Sequence, residues 1–134
     1  MIHPNEKLIA VVDDDTVFQF IAKRIIESTA KFDRILAFAN GQVALEYLRE
    51  HAGYAEMLPA YILLDINMPE LDGFGFLGEL DKHTGLSGVD FKIAILSSSN
   101  RNVDVERARL HRRVRQYFEK PVSVEKIDLL IGSR

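Results

Sequence analysis

Short apolar runs alternate with longer amphipathic segments along almost the whole chain. A short and nearly continuous apolar run is typical of a strand that is buried on both faces of a sheet. The runs that we predict to be strands are Leu8 to Val12, Ile35 to Phe38, Tyr61 to Leu64, Phe91 to Leu96 and Gln116 to Phe118.

The segments between these runs have the apolar periodicity of helices. We predict helices at Thr16 to Ser28, from Asn40-Gly41 onward (through Val43, Ala44, Tyr47 and Leu48), at Phe74 to Leu80, at Val103 to Val114 and at Val124 to Ile131. Thr84 to Gly88 contains Gly and Ser and is predicted to be a loop. In the first helix we expect a buried face made of Val17, Phe20, Ile21 and Ile25.

Strands that alternate with helices imply right-handed crossovers and a parallel sheet covered on both faces. The predicted fold class is therefore α/β, a doubly wound five-stranded parallel sheet. In such sheets ligands bind beyond the carboxyl ends of the strands. The informative residues are those that follow the strands, namely Asp13, Asp14, Asp15, Asp65, Ser97 and Lys120.

Length and composition narrow the class of protein. The chain has 134 residues, so residues 1–134 are expected to form a single domain. A net charge of -3 gives no basic field for nucleic acid or anionic membrane, and the absence of Cys excludes thiol catalysis and a cysteine zinc site. The apolar run near the start is too short for a signal peptide or a membrane span, so we expect a cytoplasmic protein.

The residues at the strand ends combine acidic, hydroxyl and basic chemistry. Two or more carboxylates from Asp13, Asp14 and Asp15 would meet Asp65 in one crevice, where their mutual repulsion calls for a hard divalent cation such as Mg²⁺. Ser97 offers a hydroxyl and Lys120 an ammonium group, which are suitable partners for a phosphoryl group. The set describes a site that accepts phosphate on Asp65, because a carboxylate can act as a nucleophile toward phosphorus.

Each of these residues also has a structural interpretation. Asp15 is expected to cap the first helix, and Thr16 with Gln19 offers a capping box at the same place. Ser97 could satisfy a backbone group at the end of its strand, and Lys120 could be a solvated turn residue. The functional interpretation depends on the acidic residues after the first strand, Asp65, Ser97 and Lys120 lying at the ends of four different strands.

The motifs around these residues are similar to those of the receiver domain of two-component response regulators. They are Val11-Val12-Asp13-Asp14, Leu63-Leu64-Asp65-Ile66-Asn67-Met68-Pro69 with Asp72-Gly73, Leu96-Ser97-Ser98, and Tyr117-Phe118-Glu119-Lys120-Pro121. The resemblance runs from Ile9 to Ile131 and implies the flavodoxin-like strand order 2-1-3-4-5. In a sheet of this order, ligands bind at the carboxyl ends of the strands where the strand order reverses.

The resemblance also implies a role for each site residue. Asp65 would be the phosphoacceptor. Asp14 would bind Mg²⁺ directly, Asp13 through water, and Asn67 through its backbone carbonyl. Ser97 and Lys120 would contact the phosphoryl group, Tyr117 would be the switch aromatic, and the Lys120-Pro121 bond would be cis.

The implied partners are a sensor histidine kinase or histidine phosphotransfer protein as donor and a downstream effector protein. We expect no output domain after Arg134, and we therefore expect the chain to act through another protein. The surface of the predicted fourth helix, fifth strand and fifth helix would carry the signal and could support a homodimer. Neither nucleic acid nor membrane is expected as a partner, and the only catalysis expected is the chain's own phosphotransfer and autodephosphorylation.

Some features depart from the family pattern. Arg113-Val114 occupies the place of a usual Gly-Ala pair, and the loop from Asp81 to Asp90 is longer than usual. Six arginines crowd the predicted fourth helix and its flanks, which indicates either a docking surface for an acidic partner or a solvated face with local ion pairs. They are Arg101, Arg107, Arg109, Arg112, Arg113 and Arg115.

The remaining polar residues give weaker expectations. His3, His51, His83 and His111 show no metal-binding spacing and are expected at the surface. The resemblance to receiver domains also implies that Asn67 and Ser99 flank the path of the water that would remove the phosphoryl group. Because neither is a strong base, slow to moderate autodephosphorylation is expected.

Three other classes of protein remain open on sequence grounds. A phosphatase of the haloacid dehalogenase type would require Asp where Asn67 stands. A phosphate-independent pseudo-receiver would act by binding alone. A flavodoxin-like cofactor protein would require a phosphate-binding loop after the first strand, where three aspartates would repel phosphate.

Overall fold

A computed structural model describes residues 2–98 and 102–133 of the chain. Within them lies one parallel five-stranded sheet in the order β2-β1-β3-β4-β5, as predicted. The strands are β1 (Asn5–Val12), β2 (Arg34–Phe38), β3 (Pro59–Leu64), β4 (Lys92–Ser97) and β5 (Val114–Glu119). The order reverses between β1 and β3, so the crevice for a ligand lies at their carboxyl ends.

The described residues form six helices and one 3₁₀ turn, Ala55–Met57. The helices are α1 (Thr16–Thr29), α2 (Gly41–Glu50), α3 (Gly73–Lys82), α4 (Thr84–Ser87), α5 (Asn102–Arg109) and α6 (Val124–Ile131). Two predictions were wrong: the loop from Thr84 onward contains α4, and the helix predicted to reach Val114 ends at Arg109. Val114 pairs with Ile93 at the start of β5, which requires an extended backbone.

The two faces of the sheet bury separate apolar clusters. One face is covered by α2, α3, α4 and α5. The largest fully buried side chain that these helices supply is Phe76 of α3. The other face is covered by α1 and α6 through Ala22, Ile26, Ile127 and Leu130. Because both faces are covered, the carboxyl edge of the strands is the place left for polar chemistry.

The buried face of α1 differs from the prediction. Val17, Phe20 and Ile21 have exposed fractions of 66%, 61% and 44%, whereas Ala22 and Ile26 are fully buried. Apolar residues occupy several sides of this helix, so two overlapping apolar stripes were possible. The helix packs with the stripe that carries the small Ala22 toward the sheet, and Val17, Phe20 and Ile21 face solvent.

The start of α1 is capped by Asp15, whose carboxylate accepts hydrogen bonds from the amides of Val17 and Phe18 at 2.9 and 3.2 Å. The prediction that Asp15 is a cap is confirmed. The capping box of Thr16 and Gln19 is wrong, because the Gln19 side chain donates instead to backbone carbonyls of the sheet.

The arginine-rich segment contains one buried side chain. Arg113 is 1% exposed, forms an ion pair with Asp81 of α3, and donates to the carbonyls of Leu86 and Ser87 at 2.9 Å. Its Nε also donates to the carbonyl of Val89 at 3.3 Å. Both interpretations of the arginine-rich segment, a docking surface and a solvated face, are therefore wrong for Arg113, because its side chain is buried.

The other described arginines near α5 form mainly local contacts. Arg109 pairs with Glu106, Arg112 with Asp81 and Arg115 with Asp90, while Arg107 lies over the ring of Phe74 at 4.1 Å. Arg101 lies outside the described residues.

Three of the four histidines, namely His51, His83 and His111, are half-buried and not exposed as predicted. The His111 side chain is 16% exposed and lies 3.0 Å from Asp81, and the Nδ1 atom of His83 is buried. His3 is exposed as expected, and His51 is half-buried beside Tyr47. Among the helices of the described ranges, none is long and apolar enough to cross a membrane.

Candidate functional site

Adjacent strands bring the acidic residues together at the carboxyl edge of the sheet. Val12 of β1 lies beside Leu64 of β3, and the amide of Asp65 donates to the carbonyl of Val12 at 3.0 Å. Asp13, the first residue after β1, donates its amide to the carbonyl of Phe38 in β2 at 3.1 Å. The strand pairing therefore fixes where both aspartates leave the sheet.

The carboxylates of Asp13, Asp14 and Asp65 form a group that could hold a metal ion, with one oxygen of each within 4.8 Å of the others. Asp13 and Asp65 are buried, and Asp14 is exposed. Oδ2 of Asp13 is buried, and its close partner among the described residues is the ammonium group of Lys120. Three carboxylates clustered in this way fit Mg²⁺ or a similar hard cation.

Lys120 supplies the positive charge of the site. Its Nζ lies 2.7 Å from Oδ2 of Asp13 and 3.7 Å from Oδ2 of Asp65, and its backbone amide donates to the carbonyl of Ser97 at 2.9 Å. The following peptide bond to Pro121 is cis, as predicted. The ammonium group therefore lies against the two buried carboxylates.

Burial, and after it the negative charge of Asp13, raises the pKa of Asp65 to about 6. Lys120 and the amide of Asn67 oppose this shift by stabilising the charged carboxylate. The amide of Asn67 lies 3.4 Å from Oδ1 of Asp65. Repulsion among the carboxylates is the electrostatic cost that a bound divalent cation would relieve.

Gly73, the first residue of α3, allows a close approach to the backbone of Asp65. A Cβ atom at this position would lie 2.7 Å from the carbonyl oxygen of Asp65 and 2.9 Å from Cα of Ile66. The side chain of Asp72 caps the same helix through the amide of Gly75 at 2.7 Å. The Asp72-Gly73 pair thus holds α3 against the loop that carries Asp65.

Ser97 and Tyr117 lie on the two neighbouring strands that lead away from the acidic group. Ser97 is fully buried at the end of β4, and Tyr117 of β5 is half-buried and packs against the core. Ile95 pairs with Tyr117 and Ser97 with Glu119 in the β4–β5 ladder. Ser99 lies outside the described residues.

The sequence interpretation missed two residues that contact this site. The ring of Phe18 lies against the Lys120 ammonium, 4.3 Å from Nζ to the ring centroid. The side-chain nitrogen of Gln19 lies within hydrogen-bond distance of the carbonyls of Val11, Asp13 and Phe38. The sequence signal for both residues is their short distance from Asp14 along the chain. That signal is weak, because Phe and Gln are also common in ordinary helices.

Comparison with known proteins agrees with this geometry. The family model described as the response regulator receiver domain matches residues 9–131, so the chain belongs to this family. The family consists of signalling domains that accept a phosphoryl group, and its fold is the parallel arrangement described above.

Among similar proteins is the "Probable methanogenesis regulatory protein FilR2" of Methanothrix harundinacea, 30% identical over 118 residues that cover 88% of this chain and 74% of that protein. A two-component response regulator from Cytophaga hutchinsonii has a solved structure that is 25% identical, covers 94% of both chains and has a TM-score of 0.84. The Mn²⁺-bound form of response regulator Rcp1 is 22% identical, with coverage of 94% and 90% and a TM-score of 0.73.

Proposed function

We propose that this chain accepts a phosphoryl group from a phosphohistidine donor on Asp65 in a Mg²⁺-dependent reaction and signals by a conformational change. The observation that carries the proposal is the buried carboxylate of Asp65, which shares one crevice with Asp13, Asp14 and the ammonium of Lys120. This combination provides a nucleophile, ligands for a cation and a partner for an anionic phosphoryl group.

In the proposed reaction a carboxylate oxygen of Asp65 attacks the phosphorus of the donor. The new O–P bond forms as the P–N bond to the donor imidazole breaks, and the imidazole keeps the electron pair and takes up a proton. Bound Mg²⁺ would neutralise charge on the phosphoryl oxygens. Asp13, Asp14, Asp65 and the carbonyl of Asn67 are the proposed ligands.

Lys120 is proposed to pair with the phosphoryl group once Asp65 carries it. Its ammonium lies 3.7 Å from Oδ2 of Asp65, so a small shift away from Asp13 suffices. Ser97, at the neighbouring strand end, is proposed to donate a hydrogen bond to another phosphoryl oxygen.

The exposed apolar residues of α1 provide a surface on which a donor could dock. Val17, Phe20 and Ile21 are exposed and lie on the helix that begins beside Asp14 and Asp15. Contiguous apolar side chains on a surface indicate a protein interaction site. A histidine kinase or phosphotransfer protein docked there would bring its phosphohistidine close to Asp65.

The proposed output surface is formed by α5, β5 and α6. Among the side chains of α5 that the structure describes, Ala108 alone is buried, so little apolar contact holds this helix on the sheet. An open cleft of about 450 Å³ lies between α5 and β5 and is lined by Val105, Arg109 and Tyr117 among others. A loosely packed helix beside a half-buried aromatic residue is suited to a change of position, which an effector or a second copy could detect.

A metal-bound protein of the same fold supports the proposal of a metal-dependent reaction. The Rcp1 structure named above, which shares this fold, is a Mn²⁺-bound form. Carboxylate ligands accept either Mg²⁺ or Mn²⁺.

Incubation with Mg²⁺ and acetyl phosphate, followed by intact mass measurement, tests the proposal. We expect the mass of one phosphoryl group on the protein, and none on Asp65→Asn or after chelation of the metal. Asp72→Asn is the matched control, because Asn caps a helix about as well as Asp and this variant should be labelled normally. Equal labelling of Asp65→Asn would contradict the assignment.

A further inference from the structure

Gln19 connects α1 to the carboxyl ends of two strands. Its Nε2 atom lies 3.0 Å from the carbonyl oxygen of Val11, 3.1 Å from that of Asp13 and 2.9 Å from that of Phe38. The first two carbonyls belong to the end of β1 and the residue after it, and the third ends β2. One half-buried amide group therefore holds together the backbone from which the acidic loop emerges.

The acidic loop is the short segment Asp13–Asp15, and its two ends are already fixed. The amide of Asp15 donates to Oδ1 of Asp13 at 2.9 Å, and the Asp15 side chain caps α1. The carbonyl of Asp13 shares a rigid peptide plane with the amide of Asp14. By holding that carbonyl, Gln19 sets the plane from which Asp14 projects.

Asp14 has the greatest need for such support. It is exposed, and its side chain makes no hydrogen bond or ion pair with the described residues. The direction of the Asp14 side chain therefore depends on its backbone. The hydrogen bond from the Gln19 amide to the carbonyl of Asp13 is the side-chain contact that holds the peptide group before Asp14.

A role confined to helix formation does not explain the position of the Gln19 side chain. The amides at the start of α1 are satisfied by Asp15, so α1 does not require a second cap. Gln42 of α2 offers a comparison: within the described part of the chain, its amide reaches only the exposed Glu46 of its own helix, at 3.4 Å.

We propose that Gln19 is a positioning residue that preorganises Asp13 and Asp14 for the divalent cation. The proposal rests on the proposed function, since it assumes that the acidic group binds Mg²⁺. Groups that orient metal ligands without touching the metal commonly contribute about 10- to 100-fold to metal affinity. Because Gln19 acts on two ligands through the backbone, we expect an effect near the lower limit.

The test measures Mg²⁺ affinity by calorimetry for the full chain and two variants. Gln19→Met keeps the length of the side chain and removes its donor, and it should weaken Mg²⁺ binding roughly tenfold. Gln42→Met is the matched control and should bind Mg²⁺ like the unmodified chain. Urea unfolding of all three proteins separates a loss of metal affinity from a loss of stability.

A second measurement requires no variant. In NMR spectra of the unmodified chain, the side-chain amide signals of Gln19 should shift as Mg²⁺ is added, whereas those of Gln42 should not. If the Gln19 signals stay unchanged at saturating Mg²⁺, the proposed coupling between Gln19 and the metal is wrong.

The outcomes distinguish this proposal from the proposed function. If the unmodified chain binds Mg²⁺ and Gln19→Met binds it equally tightly, the positioning role alone is overturned. If the unmodified chain binds no Mg²⁺, the metal-dependent function is overturned and the positioning role with it.

Discussion

The ring of Phe18 covers the ammonium group of Lys120, with 4.3 Å between Nζ and the ring centroid. On its other sides the same ammonium contacts Asp13 at 2.7 Å and Asp65 at 3.7 Å. Phe18 therefore limits the directions in which Lys120 can move, and the direction that remains favourable is toward the carboxylates.

Replacement of Phe18 by Leu is expected to slow phosphorylation by acetyl phosphate. A cation–π contact of this kind is worth about 0.5–1 kcal/mol, so the rate should fall roughly two- to fivefold. The rate is measured by intact mass against time. Phe20→Leu is the matched control, because Phe20 is on the exposed side of the same helix and acetyl phosphate needs no docking surface. Equal rates for Phe18→Leu and the unmodified chain would contradict this role.

Substitution of Asp14 should reduce metal affinity, whereas substitution of the helix cap Asp15 should reduce stability. Asp14→Ala should weaken Mg²⁺ binding strongly and leave stability nearly unchanged, since Asp14 is exposed and belongs to the carboxylate group. Asp15→Ala should cost about 0.5–2 kcal/mol of stability, because two amides of α1 lose their acceptor. Calorimetry and urea unfolding measure the two effects. Equal losses of metal affinity would show that the ligand is assigned to the wrong aspartate.

Much of the fold and site is predictable because four of the five strands end at, or directly before, a polar residue of the site. Asp13 follows β1 and Asp65 follows β3. Ser97 is the last residue of β4, and Lys120 follows β5. Once the sheet is parallel, strand ends must meet at one edge, so the site follows from the order of residues. The spacing does not reveal which backbone groups hold the site, and for this reason Gln19 was assigned to a capping box.

Side-chain choices that depend on packing were not predictable from periodicity. In α1 the apolar residues form two overlapping stripes, and the sheet accepts the one with Ala22 and Ile26. Arg113 was expected at the surface because arginine is seldom fully buried. It is buried because the carbonyls at the end of α4 and in the following turn require a donor, a need visible only in three dimensions.

Arg113 is expected to contribute substantially to stability. Arg113→Met would leave the carbonyls of Leu86 and Val89 without their side-chain donor, at a cost of about 2–4 kcal/mol in the free energy of unfolding. Arg109→Ala provides the control: its side chain is 70% exposed and pairs with Glu106, so the change should cost no more than about 1 kcal/mol. Urea unfolding compares the two, and similar losses would refute the distinction.

The ion pairs of Asp81 should make stability depend on pH in acid. Burial alone would raise the pKa of Asp81, but His111, Arg113 and Arg112 together lower it below its ordinary value of 3.8. Since the folded-state pKa is depressed, the contribution is fully present above the unfolded value and is lost as the pH falls through the folded value. The stability difference between the unmodified chain and Asp81→Asn should therefore shrink below about pH 4. A constant difference from pH 6 down to acid unfolding would show that Asp81 does not titrate in this way.

Phosphorylation is expected to alter the surface of α5, β5 and α6. A phosphoryl group on Asp65 places about -1.5 to -2 charges beside Ser97 and Lys120, at the ends of β4 and β5, in place of the single charge of the carboxylate. Ile95 pairs with Tyr117 in the ladder between these strands, and the cleft beside Tyr117 leaves room for movement of the ring and of α5. Beryllofluoride with Mg²⁺ mimics the phosphoryl group stably, and amide shifts in NMR spectra report where the structure changes. We expect shifts at Asp14 and Asp65 and also at Tyr117 and along α5, with Asp65→Asn showing none of them. Shifts that remain confined to the acidic group would show that the signal leaves the domain by another surface.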